Sequence, residues 1–157
     1  MDGEVKKAEN LFLQGYNCSQ AVFAAFSDDV GLDFETALKL SSSFGGGMGR
    51  LREVCGAVSA MFMIAGIKYG YSDPKNSAAK AEHYERIQLL AAKFKEKNGS
   101  IICRELLGLP EGKDNPVPEA RTESYYQKRP CAELVKSAAK IIYDYLEENK
   151  DDHRGNN

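Results

Sequence analysis

The residues of this chain best suited to chemistry are its four cysteines: Cys18, Cys55, Cys103 and Cys131. No two of them form a Cys-x-x-Cys motif, so local spacing predicts neither a zinc knuckle nor a thioredoxin-type dithiol. Any partnership among the four sulfurs must therefore be made by the fold. In a reducing compartment four structural disulfide sulfurs are not expected, which leaves metal binding, transient redox chemistry or plain burial.

A shared position makes a chemical role the stronger interpretation. The sequence places each cysteine in the first turn of a helix: after Asn17, after a glycine-rich segment, after Ser100 and beside Pro130. Unpaired backbone N–H groups and the helix dipole at such a position favour the thiolate. Four such positions predict that helix N-termini converge on one electropositive site. The alternative is four buried thiols that act as small apolar side chains.

The glycine-rich segment lies immediately before Cys55. Its glycines include Gly46, Gly47 and Gly49, and Gly56 follows the cysteine. Such a segment could form a backbone nest for a phosphate or carboxylate. It lacks the Lys-Ser/Thr of a P-loop, and no strand is predicted before it. The alternative is that the glycines let the chain turn sharply and pack close to Cys18.

Helical periodicity organises the rest of the chain, and no run alternates with period two, so we predict an all-α fold. The expected architecture is a single-domain bundle of about five main helices with short extra helical turns, over residues 1–150. Residues 151–157 are expected to form a disordered tail. The stretch 4–26 is either one continuous helix or two helices broken at Gly15-Tyr16-Asn17.

The remaining helices are predicted from their caps and apolar stripes. A buried core helix is expected over 53–69, a long helix with a charged face carrying His83 over 75–98, and a short helix over 101–107. The last helix begins beside Pro130. The connection 109–130 is long enough to suggest a functional or mobile role, and its Tyr125 and Tyr126 either cover a pocket or lie exposed.

The composition excludes several classes of partner. There are 21 basic and 23 acidic residues and no basic stripe, so neither a nucleic acid nor an anionic membrane is expected to bind. The longest apolar run, 54–67, is too short and too interrupted by glycine to span a bilayer. The N-terminus lacks the pattern of a secretory signal, so a cytoplasmic location is expected. The expected partner is a small molecule or a thiol or disulfide compound; the oligomeric state is not predicted.

Several segments together resemble one known family. They are Gly15-Tyr16-Asn17-Cys18-Ser19-Gln20-Ala21-Val22, the Gly-Gly-Gly-Met-Gly-Arg run, Cys55-Gly56-Ala57, Cys103 before Glu105-Leu106-Leu107-Gly108, and Cys131. In number and order these cysteines resemble those of the C_GCAxxG_C_C family. The resemblance implies a small cytoplasmic redox protein, often encoded near transporter genes and without an established substrate. The chain departs from the family motif at Ala60, where the motif has its last glycine.

The resemblance also implies roles for individual cysteines. In some family members the residue matching Cys55 is selenocysteine, which favours Cys55 as the attacking thiolate. Cys18 is the first choice for the resolving partner, on the resemblance and on its inward helical face, with Cys103 and Cys131 as the other candidates.

Two charged residues near Cys55 could support this chemistry. Glu53 could shuttle the proton, and Arg50 could stabilise the thiolate or an anionic substrate. The alternative for both is an ordinary solvated or helix-capping charge.

A metal site is the alternative to redox chemistry. The thiol hypothesis needs no cofactor, whereas the same four thiolates could instead form a Cys₄ site for zinc or an iron–sulfur cluster. Scattered spacing argues against a small knuckle but does not forbid a cluster in the core of a bundle.

Overall fold

The computed structural model describes residues 3–151 and is all-α in that range, which confirms the predicted fold class. The predicted tail lies, apart from Asp151, outside the described residues. Within these described residues the nine helices are α1 (Gly3–Leu13), α2 (Cys18–Ala25), α3 (Ser27–Val30), α4 (Phe34–Ser41), α5 (Gly56–Tyr69), α6 (Ser77–Asn98), α7 (Cys103–Leu107), α8 (Glu123–Lys128) and α9 (Cys131–Glu148). A 3₁₀ turn (Ser42–Phe44) and one further turn (Gly45–Met48) join α4 to the segment before α5.

The centre of the bundle is the contact between α2 and α5. Most of α5 is apolar and buried, as expected for the core helix, and α1, α4, α6 and α9 surround the pair. Large side chains such as Phe23 and Met61 are fully buried between these helices. Ala60, where the family motif has glycine, is also fully buried in α5. The core thus holds the starts of α2 and α5 firmly.

The first helical stretch is broken, so of the two alternatives left open by the sequence the broken helix is the one observed. Helix α1 ends at Leu13, and Asn17 caps α2. The Asn17 Oδ1 accepts a hydrogen bond from the Gln20 N–H at 2.8 Å, and the Gln20 Oε1 accepts one from the Asn17 N–H at 3.1 Å. This reciprocal capping box satisfies two N–H groups that a continuous helix would have paired within the backbone.

Two other helices begin later than predicted. Helix α5 begins at Gly56 rather than at 53, because the backbone of residues 52–55 is hydrogen-bonded to that of 101–104 around one isolated antiparallel bridge between Val54 and Ile102. Helix α6 begins at Ser77, because Asn76 provides its cap.

His83 is buried although it lies on a helix rich in charged residues. The side chain is 9% exposed on α6 and its Nδ1 lies 2.9 Å from Arg86 Nη1. In the part of the chain that the structure describes, no helix combines the length and the hydropathy that crossing a membrane requires.

Candidate functional site

A cavity of about 460 Å³ lies where four helices begin, and all four cysteines line it. Cys18, Cys103 and Cys131 are the first residues of α2, α7 and α9, and Cys55 occupies the N-cap of α5. The four cysteines are free thiols. The fold therefore brings together sulfurs that lie far apart in the sequence.

The position of Cys18 is set by the capping box of α2. The Asn17 side chain, besides capping α2, donates from Nδ2 to the Ser42 carbonyl at 3.1 Å. Gln20 donates from Nε2 to the Leu38 carbonyl at 3.1 Å. These bonds tie the start of α2 to the end of α4. Cys18 is half-buried and faces the cavity from this fixed point.

Gly56 allows the sulfur of Cys18 to approach the backbone next to Cys55. A Cβ added at Gly56 would lie 2.6 Å from Cys18 Sγ and 2.6 Å from the Phe44 carbonyl oxygen. Real Cβ atoms essentially never make contacts this short. Only glycine at this position lets the two cysteine-bearing segments meet, so the glycine of the Cys-Gly-Ala sequence has a packing reason.

Cys55 and Cys103 lie on two paired backbone segments. The Cys55 N–H donates to the Ile101 carbonyl at 2.8 Å, and the Cys103 N–H donates to the Glu53 carbonyl at 2.6 Å. Both cysteines are buried, with exposed fractions of 5% and 8%. The pairing of the two backbone segments, rather than a side-chain contact, therefore fixes the relative positions of Cys55 and Cys103.

The segment before Cys55 is a left-handed turn. Positive φ angles occur at Gly46, Gly47, Met48, Gly49, Arg50 and Arg52. For a residue with a Cβ this conformation costs roughly 1–2 kcal/mol. The turn is closed by the Glu53 N–H, which donates to the Gly47 carbonyl at 2.9 Å. Strained backbone of this kind is concentrated at functional sites, and here it turns two arginine side chains onto the cavity.

The glycine of this turn nearest to a cysteine is Gly47. A Cβ added there would lie 2.6 Å from the Cβ of Cys103 and 2.8 Å from the Cα of Arg52. At Gly45 an added Cβ would overlap the Asn17 side chain at 2.3 Å. The glycines of this turn thus permit close packing around two of the cysteine-bearing helix starts. Gly45 lies against Asn17, the residue before Cys18, and Gly47 lies against Cys103.

The predicted thiolate-favouring effect of the helix N-termini is outweighed by burial at three cysteines. Burial raises the pKa of the Cys55 thiol well above its ordinary value, although hydrogen bonds from the Ala57 and Val58 N–H groups act in the predicted direction. Burial also raises the pKa of Cys103 and takes that of Cys131 to about 12. The predicted direction of the pKa shift is therefore wrong for these three thiols, because the loss of hydration destabilises each thiolate by more than the helix N-terminus stabilises it.

Polar neighbours oppose this burial at Cys103 and Cys131. The Arg52 Nη1 lies 3.6 Å from Cys103 Sγ and lowers its pKa relative to burial alone. At Cys131, the charge of Arg129 and a hydrogen bond from Tyr125 act in the same direction. Burial raises the pKa of Tyr125 itself to about 12, so its hydroxyl remains a proton donor at neutral pH.

The cavity carries more positive than negative charge. Four arginines line it: Arg50, Arg52, Arg121 and Arg129. Glu119 forms an ion pair with Arg129. A single carboxylate, Asp114, pairs with both Arg50 and Arg52, at 3.0 and 2.9 Å. These arginines lower the pKa of Asp114, with the hydrogen bond from Arg52 as the largest cause.

The structure separates the predicted supporting residues into two groups. Arg50, Gly46, Gly49 and Gly56 line the cavity, and Gly47 abuts Cys103. Glu53 does not line it; its side chain is exposed, and its contribution is the backbone carbonyl that Cys103 contacts. Of the two tyrosines in the long connection, Tyr125 lines the cavity.

Sequence reasoning missed Arg52, Asp114, Arg121 and Arg129. Arg52 lies two residues after Arg50, next to the glycine-rich segment before Cys55, and this proximity was the one feature of the sequence that could have marked it as a site residue. Arg121 and Arg129 flank Tyr125 in a connection without periodicity, and nothing in their spacing indicates that they line the cavity.

The metal alternative requires several thiolates around one point. Among residues 3–151, no group of three or more His, Cys, Asp or Glu side chains is placed to hold a single metal ion. The four cysteines surround a cavity, but they are not arranged as a tetrahedral ligand set.

The fold and the site together define a class, a small all-α four-cysteine protein whose thiols surround an arginine-lined cavity. A family model described as "Putative redox-active protein (C_GCAxxG_C_C)" matches residues 16–145, most of the chain and all four cysteines. The chain belongs to this C_GCAxxG_C_C family, and the family description supports a general redox role. No curated protein and no solved structure matches the chain closely enough to be called similar.

Proposed function

We propose that this protein carries out thiol–disulfide exchange, with Cys18 and Cys55 as its redox pair. The observation that supports the proposal is the shared cavity, in which Cys18 Sγ packs against Gly56, the residue next to Cys55. Exchange requires two sulfurs that can meet and space beside them for a substrate sulfur. The cavity provides that space.

The burial of the thiols favours Cys18 as the first sulfur to react. Cys55 and Cys103 are buried, and the pKa of Cys131 is raised to about 12, so each of these is poorly suited to attack an incoming disulfide. Cys18 is half-buried and lines the cavity. This order reverses the roles implied by the family resemblance while keeping the same pair, with Cys55 as the resolving thiol.

The proposed reaction has two steps. The Cys18 thiolate attacks a substrate disulfide, forming a mixed disulfide and releasing one substrate thiolate. The Cys55 sulfur then attacks Cys18 Sγ, the bond from Cys18 to the substrate breaks, and the Cys55 proton passes to the departing substrate thiolate. The protein loses two electrons as the Cys18–Cys55 disulfide forms, and the substrate disulfide gains them. The products are two substrate thiols, because the first substrate thiolate takes from solvent the proton that Cys18 released on forming its thiolate.

The proposal is tested by trapping the mixed disulfide. Reduced protein is treated with a small disulfide, its thiols are counted, and the new bonds are mapped by mass spectrometry. Wild type is expected to lose two of its four thiols and form the Cys18–Cys55 bond. Cys55→Ser is expected to stop at a stable mixed disulfide on Cys18, and Cys18→Ser to react far more slowly.

Cys103→Ser and Cys131→Ser are matched controls, because they remove a thiol from the same cavity. Both variants are expected to keep the two-thiol loss. A disulfide between Cys103 and Cys131, or a mixed disulfide that forms first on either of them, would contradict the assignment. Stoichiometric zinc or iron in anaerobically purified protein, with thiols that become reactive only after a chelator removes the metal, would favour the metal alternative instead.

A further inference from the structure

The charges around the cavity are not balanced. Arg129 is matched by Glu119, whereas Arg50 and Arg52 share the one carboxylate of Asp114. The fourth guanidinium, that of Arg121, has no carboxylate within ion-pair distance among residues 3–151. The site therefore carries two more positive than negative charges. Uncompensated charge that is partly removed from water is costly, so a protein retains it where a ligand supplies the missing negative charge.

Arg52 has an unused hydrogen-bond donor inside the protein. Its side chain is 5% exposed; Nη2 donates to Asp114 at 2.9 Å, and Nη1 approaches Cys103 Sγ. The remaining Nε–H is buried and has no hydrogen-bond partner among the described residues. Leaving such a donor unpaired costs on the order of 1–3 kcal/mol. Arg52 also lines the cavity, so this part of the wall carries a buried cation beside Cys103.

Arg121 is held in place without being neutralised. Nη1 donates to the Phe12 carbonyl at 3.0 Å and Nη2 donates to the Tyr16 carbonyl at 2.9 Å. The guanidinium carbon lies 4.2 Å from the centre of the Phe12 ring. Carbonyls and aromatic faces fix the orientation of the cation but leave its full charge in place, which is how a binding site presents a preorganised positive group.

The rest of the wall suits an organic molecule. Phe12, Leu106, Leu107 and Leu134 contribute apolar surface, and the volume of about 460 Å³ falls within the range of small-molecule sites. An inorganic anion would leave most of this apolar surface without a contact. The lining thus fits a small molecule with an apolar body and an anionic end.

We propose that the substrate is a small organic disulfide or thiol that carries a carboxylate, and that Arg52 and Arg121 bind that carboxylate. This inference rests on the proposed exchange reaction and adds the charge of the substrate. The arginines select the substrate, and the cysteines carry out the exchange. Neutral and cationic disulfides of the same length are poor substrates, because they leave the cation excess uncompensated.

The first test uses unmodified protein and three disulfides of matched length: dithiodipropionate, its neutral diamide and a diamine. Each rate of thiol loss is divided by the rate of the same compound with a model thiol, which removes intrinsic reactivity. The dicarboxylate is expected to react at least about tenfold faster than the diamide, since one charge-assisted hydrogen bond is worth roughly 1.5–3 kcal/mol. Equal normalised rates for dicarboxylate and diamide would overturn the proposal.

Variants then test which arginines produce the preference. Arg121→Gln and Arg52→Gln are each expected to reduce the ratio of dicarboxylate to diamide rates severalfold. Lys95→Gln is the charge-matched control, because Lys95 is exposed on α6, which contributes no residue to the cavity. If Arg52→Gln fails to fold, Arg121→Gln carries the test. An undiminished preference in Arg121→Gln would contradict its assigned role.

A redox-inert ligand separates this proposal from the exchange reaction. Thiodipropionate carries the same carboxylates on a thioether and cannot exchange, and its binding is measured by calorimetry. Binding that requires Arg121, in a protein whose thiols do not exchange, would support the anion site and refute the proposed reaction. Rapid exchange with no preference for carboxylates and no thiodipropionate binding would support the reaction and refute the anion site.

Discussion

The cavity has two halves that hold their cysteines by different means. Cys18 and Cys55 stand at the starts of α2 and α5, the two helices that pack together at the centre of the core. Cys103 and Cys131 begin α7 and α9, beside Arg52, Arg129 and the connection from 109 to 130. We call the first pair the core half and the second pair the outer half.

The electrostatic surroundings of the two halves differ accordingly. Burial and the other cysteines raise the pKa of Cys55, and only backbone N–H groups oppose them. In the outer half, arginine side chains oppose the effect of burial at both cysteines. The comparison indicates two roles, because the close packing of Cys18 Sγ against Gly56 lies in the core half and the charge that can select a substrate lies in the outer half.

The largest effect on stability is expected from Gly47→Ala, which disrupts the packing of the outer half. The new Cβ would overlap Cys103 and the Arg52 backbone, and the residue would keep a φ of +68°. Overpacking of roughly 1–3 kcal/mol and left-handed strain of roughly 1–2 kcal/mol add together. We expect the free energy of unfolding to fall by about 3 kcal/mol or more in a urea titration. In the matched control Gly49→Ala the new Cβ meets only one atom, at 3.9 Å. The free energy of unfolding of this variant should therefore fall only by the cost of left-handed strain. Equal losses would show that the Cys103 contact is unimportant.

A smaller loss of stability is expected from Gly56→Ala, which displaces Cys18 Sγ from the residue next to Cys55 and so moves the two sulfurs of the core half apart. Its Cβ would meet Cys18 Sγ and the Phe44 carbonyl, and overpacking of this kind costs roughly 1–3 kcal/mol. The variant should also form the Cys18–Cys55 disulfide more slowly, as measured by thiol loss. Gly66→Ala is the control on the same helix, where an added Cβ meets nothing within 4 Å. It should stabilise the protein by about 0.5–1 kcal/mol. A Gly56→Ala protein with unchanged stability and unchanged oxidation would remove the packing argument.

The smallest effect is expected from Asp114→Asn, which sharpens the electrostatic contrast between the halves. The arginines lower the pKa of Asp114 in the folded protein, so its ion pairs stabilise the fold above the ordinary carboxyl pKa of 3.8 and are lost as the pH falls through the lower folded value. Wild type should therefore lose stability on acidification that Asp114→Asn does not lose. Urea titrations near neutral pH and in acid measure this difference, with the exposed Glu96→Gln as the control for a change in charge alone.

Parts of the fold were open to prediction from the sequence because their causes are local. The capping residues Asn17 and Asp33 and the left-handed Gly99 mark helix ends by hydrogen bonds and backbone angles that involve only neighbouring residues. Helical periodicity likewise gives the all-α class and the buried helix α5. The start of α5 was predicted too early because the pairing of 52–55 with 101–104 is a long-range contact.

The features of the candidate site likewise fall into those with local causes and those that depend on long-range contacts. The sequence by itself determined that four cysteines would stand at helix starts, because the caps and glycines before them act within a turn. The sequence also predicted that these starts converge. Only the tertiary structure decided that burial outweighs the helix dipole at three of the thiols, and that Arg121 and Arg129 line the cavity. Burial and net charge at a point are sums over segments distant in the sequence, and no local pattern encodes such a sum.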